Sequence, residues 1–183
     1  MYQEEQVGFV AIEHTPAPLL YKVEKTYLNS FPEAERRAFD QFCDLLNNDK
    51  RFRVYALLHA EEYIGFITSW TFDTFIYIEH FAIDASARNG GFGGMAIRQL
   101  LEQAPLPVVL EVETPDDEIS RRRIAFYERL GFRLDRHPYT QPPYRPGGQG
   151  LPMLLMSHGP LDLNHQFEDV KTVLYRHVYN ALH

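Results

Sequence analysis

Between an alternating, strand-like run at residues 75–84 and a helical run at 95–101, the chain places Arg88-Asn89-Gly90-Gly91-Phe92-Gly93-Gly94. Glycines at such a junction let backbone N–H groups turn inward with no Cβ in the way, and the positive end of the following helix faces the same point. The chemistry that suits is the grip of a phosphate, with Arg88 adding charge. No Gly-Lys-Ser/Thr follows, which excludes a Walker loop, and the strand comes after two other strand-like segments, which argues against a dinucleotide fingerprint. Glu79 and His80, on the strand entering the loop, are groups that could move protons.

Residues 77–101, with Arg88, Gly91 and Gly93 in an Arg-x-x-Gly-x-Gly pattern, resemble the coenzyme A-binding motif of the GNAT superfamily of acetyltransferases. A second likeness, in the right order, is Arg122-Arg123-Ile124-Ala125-Phe126-Tyr127-Glu128-Arg129-Leu130-Gly131-Phe132, which is similar to that superfamily's helix-to-strand motif. The resemblance implies an acetyl-coenzyme A-dependent N-acetyltransferase that passes an acetyl group to a primary amine by direct attack in a ternary complex. It implies main-chain contacts to the diphosphate from Asn89, Gly90, Gly91, Phe92, Gly93 and Gly94, assisted by Arg88. The backbone around Phe81, Ala82 and Ile83 is then expected to hold the pantetheine arm like an added strand. Ser120 and Arg123 stand where the family often carries asparagine and alanine, and Ser120 is counted with the cofactor contacts.

Acetyl transfer to an amine needs a neutral nucleophile, a donor to the carbonyl oxygen and a proton for the departing thiolate. An amine like the lysine side chain is protonated by about three pKa units at neutral pH, so a carboxylate must take its proton. The resemblance assigns that task to Glu79, with Glu111 as rival base or acceptor contact, and makes Tyr127 the donor to sulfur. His80, on the strand parity opposite Glu79, is expected to pack, and Glu113 to lie on a solvated face. The acceptor, a small amine or a peptide, is expected between the joint at Asn29-Ser30-Phe31 and the 140–150 loop, with Phe31, Tyr139 and Tyr144 as an aromatic wall. Alternatives are a protein N-terminal or lysine acetyltransferase, and a non-catalytic acyl-coenzyme A-binding module.

A net charge of −7 argues against nucleic acid as a partner. Cys43 is the lone cysteine, which fits a reducing cytoplasm, and it reads as a small helical hydrophobe. No signal-like start or bilayer-length apolar run is seen, so a soluble protein without membrane contact is expected. No metal is expected, and a homodimer is open.

The elements needed to carry these groups read as follows. A strand at 8–13 and a helix around Leu19, Leu20, Val23 and Tyr27 come first. Ser30-Phe31-Pro32-Glu33 reads as a capping box opening a second helix, with Ala34, Ala38, Phe42 and Leu45 on one face. Strands at 51–59, 62–71 and 75–84 follow, with Gly65 as a bulge or close approach, then a helix at 95–104, a strand at 108–113 and a helix at 118–130 capped by Gly131. Strands at 132–136 and 151–157 flank a loop at 140–150 expected to be irregular. Leu163, Phe167, Val170, Leu174 and Val178 stripe a last helix. The fold class expected is α/β of α+β type: a mixed, mostly antiparallel sheet with helices on both faces, GNAT-like, plus an additional C-terminal helix. One domain over 1–183 is expected, with a core at about 7–157 and the extension at about 161–182.

Overall fold

A computed structural model describes residues 6–181; the opening segment read above for a signal lies outside them. Along the chain run β1 (Gly8–Ile12), α1 (Leu20–Ser30), α2 (Phe39–Asn48), β2 (Phe52–His59), β3 (Glu62–Thr71), β4 (Ile76–Ile83) and α3 (Phe92–Gln103). Then come β5 (Val108–Glu113), α4 (Glu118–Arg129), β6 (Arg133–Leu134), β7 (Tyr139–Gln141), β8 (Leu151–His158) and α5 (Leu163–His177). The sheet order is β1-β2-β3-β4-β5-β8-β6, with β7 also pairing β8. Among the described residues only β4 and β5 run parallel; the other pairs are antiparallel. This is the mixed α/β sheet with helices on both faces that the sequence predicts.

Strand alternation sorts the core into two layers. Phe66, Trp70, Tyr77, Val109 and Leu155 face α1, α2 and α5, while Ile67, Ile78, Leu110, Val112 and Met156 face α3 and α4. The α5 stripe Leu163, Phe167, Val170 and Leu174 belongs to the first layer, so the added helix is built into the main core. Gly65 is a close approach: a Cβ there would lie 2.3 Å from the Ala82 carbonyl oxygen.

Three expectations are corrected. The second helix begins at Phe39; before it stand a short 3-10 turn (Glu33–Glu35) and extended backbone at Arg36 and Ala38, while Ser30 closes α1 instead of capping α2. Extension there carries Arg37 into the core, where its guanidinium is partnered. Helix α3 starts at Phe92, three residues early, because left-handed Gly91 (φ 75°) serves as its N-cap. The 140–150 segment is partly regular: Tyr139 and Gln141 form β7 on β8, held by side-chain bonds to partly buried Glu111, and β6 shrinks to two residues.

Candidate active site

The parallel pairing of β4 and β5 covers Ile76, Tyr77 and Ile78 against Val108, Val109 and Leu110, and stops there. Beyond that vertex β4 stays paired to β3 as far as Ile83, and β5 stays paired to β8 as far as Glu113. The two strands therefore part, and a cleft of about 640 Å³ opens between them. Which main-chain groups face it follows from alternation. The Asp84 N–H donates to Ile64 of β3, at 2.8 Å, so Ala82, two residues earlier, also turns its polar groups toward β3. Phe81 and Ile83 then present theirs to the cleft, and Ile83 O already accepts from Arg88 Nε at 3.3 Å. Ala82 is also among the residues lining the cleft.

At the mouth of the cleft lie Arg88, Asn89, Gly91, Phe92, Gly93 and Gly94; Gly90 is outside the lining. Asn89 (φ 68°) and Gly91 (φ 75°) are both left-handed, and the first helical hydrogen bond of α3 runs from Met95 N to Gly91 O. The N–H groups of Phe92, Gly93 and Gly94 thus lack intrahelical acceptors and sit at the positive helix end. Nothing stands within 4 Å of where a Gly91 Cβ would be, so a side chain there is opposed by backbone strain alone. Gly91→Ala is expected to cost about 1–2 kcal/mol in the left-handed conformation. The loop relaxes instead, and calorimetry should record weakened coenzyme A binding with little change in melting temperature.

Thr68 pairs with His80 and Ser69 with Ile78, which leaves Glu79 as the additional residue of a bulge in β4. The bulge re-aims both neighbours. His80, expected on the opposite parity, lies on the same side as Glu79, with its ring 4.6 Å from that of Phe31 and its Nε2–H donating to Glu35 O at 3.0 Å. Its packing role stands, and burial holds its pKa below the usual value.

The Glu79 side chain has no exposed surface. Arg37 Nη1 lies 2.8 Å from Oε1 and 3.0 Å from Oε2, Trp70 Nε1 donates to Oε2 at 2.8 Å, and Tyr144 OH donates to Oε1 at 3.0 Å. Burial alone would raise its pKa, but the Arg37 charge and the donated hydrogen bonds outweigh it and hold the carboxyl below the ordinary range. Glu111, the first residue of β5 past the vertex, accepts from Tyr139, from Gln141 Nε2 and from Tyr179 OH at 2.8 and 2.9 Å. Here burial prevails and the carboxyl is raised. Tyr77 OH and Tyr179 OH are 3.1 Å apart, and the Tyr144 and Tyr179 rings are 5.2 Å apart, so one hydrogen-bonded aromatic layer floors both carboxylates. Tyr139 and Tyr144 thus brace carboxylates, whereas Phe31 lines the cleft itself.

Tyr127 lines the cleft from α4 at 9% exposure, with its hydroxyl unpartnered among the described residues and its pKa pushed up to about 12 by burial. Ser120 is buried and outside the lining; its Oγ lies 3.4 Å from Glu113 Oε2. Arg123 lines the cleft and pairs with Glu113 at 2.8 Å, so Glu113 is an ion-pair partner at the cleft wall and not simply solvated.

Sequence reasoning missed Arg37, Tyr179, Gln141 and Glu35. Glu35 lines the cleft, and burial together with the Glu113 charge raises its pKa, against the Arg123 charge. A local signal existed only for Gln141, which alternates with Tyr139 about Thr140 in strand fashion.

A family model described as acetyltransferase (GNAT) family matches residues 17–132. The chain belongs to that family. Across 96% of its length it is similar, at 39% identity and a TM-score of 0.91, to 99% of a Bacteroides thetaiotaomicron protein assigned to the GNAT acetyltransferases. It is 36% identical over 64 residues to YjbC of Bacillus subtilis, named as an acetyltransferase; that match takes in 34% of this chain and 33% of the relative. A Bacillus subtilis acetyltransferase in complex with CoA shares the fold at 17% identity and a TM-score of 0.59, over 85% of this chain and all of that one. Among the described residues no helix is long and apolar enough to cross a membrane, and no group of three or more His, Cys, Asp or Glu could hold a metal ion.

Proposed function

We propose that the chain is an acetyl-coenzyme A-dependent N-acetyltransferase acting on a primary amine by direct attack in a ternary complex. The observation that carries this reading is the parting of β4 from β5 beyond Ile78 and Leu110, with a glycine-lined helix start at its open end. The residues present fit the donor. Unpaired N–H groups of Phe92, Gly93 and Gly94 suit the diphosphate, and the cleft-facing groups of Phe81 and Ile83 suit an extended amide arm. From Ile83 back to Glu79 the strand spans about 13 Å, which carries such an arm to the vertex.

Acetyl-coenzyme A supplies the thioester when bound. Glu35 receives a proton from the incoming ammonium and passes it to solvent, leaving the neutral amine. The nitrogen attacks the carbonyl carbon; the C–N bond forms, the C–S bond breaks, and Tyr127 donates its proton to the sulfur. Tyr127 regains a proton from the nitrogen, so the products are the acetamide and the free thiol. Glu79, saturated by Arg37, Trp70 and Tyr144, acts as a positioning residue that fixes the bulge at the vertex; its depressed pKa makes it a weak direct base. Glu111 positions Gln141, Tyr139 and Tyr179 beneath the acceptor. The additional helix α5 acts with the core as one domain, because it delivers Tyr179.

The test is thiol release from acetyl-coenzyme A across a panel of small amines and peptides. Because Glu35 must be ionised to work, the rate climbs as pH rises through its raised pKa. Glu35→Gln is expected to lower kcat/KM about tenfold, with water standing in for the base, and to remove that acid limb. No affinity for coenzyme A would end this reading.

A further inference from the structure

Gln141 sits on β7 opposite Leu151, is 6% exposed, and lines the cleft. Its Nε2 donates to Glu111 Oε2, which fixes the amide at the vertex end, since Glu111 is the first residue of β5 beyond the last parallel pair. Turning the amide over would set its oxygen against Glu111 Oε2, which already accepts from Tyr179, and would leave Nε2 without that acceptor. Gln141 Oε1 is consequently a buried acceptor with no partner among the described residues. Such an atom wants a donor, and Gln141 is among the residues that line the cleft. Glu35 also lines the cleft, and with Glu113 taken up by Arg123 it is the carboxylate there left to meet a cationic amine.

We propose that Gln141 Oε1 accepts one N–H of the acceptor's amino group and selects primary amines over secondary amines and alcohols. The inference rests on the acetyl-transfer reading above. Its logic is the hydrogen count. A neutral primary amine carries two N–H bonds and a lone pair. One N–H is held by Oε1 throughout and survives in the product amide, the other is the proton surrendered, and the lone pair is left aimed at the carbonyl carbon. A secondary amine or an alcohol has a single hydrogen, which must leave, so each strips Gln141 of its partner as the new bond forms. An amide oxygen is too weak a base to remove that hydrogen itself, so Gln141 is a substrate-orienting residue and not a general base.

The experiment uses the full chain, with n-butylamine, N-methylbutylamine and n-butanol as probes. Crystals of the coenzyme A complex soaked in n-butylamine hydrochloride are expected to show the nitrogen within hydrogen-bond distance of Gln141 Oε1. In thiol-release assays the primary amine is expected to be preferred over the secondary amine by about tenfold or more, the scale of leaving one buried acceptor unpaired. Gln141→Met is expected to abolish that preference while coenzyme A affinity, measured by calorimetry, stays put. Gln141→Glu, which keeps an acceptor oxygen in place and can share a proton with Glu111, is expected to retain it. A water or protein group on Oε1 with the amine elsewhere or unbound, or a preference unchanged in Gln141→Met, overturns the proposal. Coenzyme A binding separates the two readings: if it is absent the acetyl-transfer reading fails, and if it is present with Oε1 unengaged only the role of Gln141 fails.

Discussion

Tyr127→Phe is expected to lower kcat by about a hundredfold, within the usual range for a positioned acid, and to leave coenzyme A affinity and melting temperature nearly unchanged. The hydroxyl is the only atom lost. It reaches a cleft wall from a ring clasped by Phe126 and Phe132 at centroid distances of 5.1 and 5.4 Å, and both contacts survive in phenylalanine. Burial sets the phenol pKa at about 12, so the group stays protonated across any working pH and contributes no titration of its own. A thiolate of pKa about 8.5 leaves poorly without a donor, and in the proposed mechanism the variant lacks the proton that Tyr127 would supply as the C–S bond breaks. Steady-state kinetics with calorimetry on the same preparation decides it. An unchanged kcat would reduce Tyr127 to packing.

Arg37→Ala is expected to destabilise the fold by about 3–5 kcal/mol, because it leaves a buried carboxylate without its counter-charge. Arg37 is 5% exposed; besides Glu79 it donates from Nη2 to Val178 O at 3.1 Å, and its own carbonyl accepts from Tyr27 OH at 3.1 Å. One residue thus ties the α1–α2 connection, the β4 bulge and the end of α5 together. The pH dependence follows from the depressed Glu79 pKa. Its stabilising contribution is complete above the unfolded carboxylate value of about 4.3 and is lost as pH falls through the lower folded value. Urea unfolding at neutral and acid pH should show the wild type losing stability as it is acidified, and Arg37→Ala losing less over the same interval. Glu79→Gln is costly too, since it strands the guanidinium. The double variant Arg37→Met with Glu79→Gln should be less destabilised than the sum of the single changes.

What could be read in the chain was local. The glycine run, the αL cap at Gly131, the α5 stripe and the periods of the longer strands are all properties of contiguous residues, and the structure carries them there, apart from β6, cut to two residues, and β4, where a bulge turns His80 to the side of Glu79. The bulge at Glu79 was invisible because a bulge is a count of residues against a partner strand, and no single strand records it. Arg37 was hidden for a related reason. Its partner lies 42 positions away, and a capping-box pattern at Ser30 made the same stretch read as helix. Helix propensity lost there to a buried ion pair. At 139–141, proline and glycine further along drew attention from a two-residue alternation that a buried carboxylate converts into a strand.

The early divergence of β4 and β5 has a bearing on the folded state as a whole. Along Phe81 and Ile83 the sheet contains a seam whose main-chain groups no neighbouring strand satisfies; apart from Ile83 O, which accepts from Arg88 Nε, they are left to solvent until something extended lies between. A molecule that fills the seam is therefore, in architectural terms, a missing strand. The donor would finish the protein's own hydrogen-bond ladder, and its concentration would then govern how firmly the two halves of the sheet hold together.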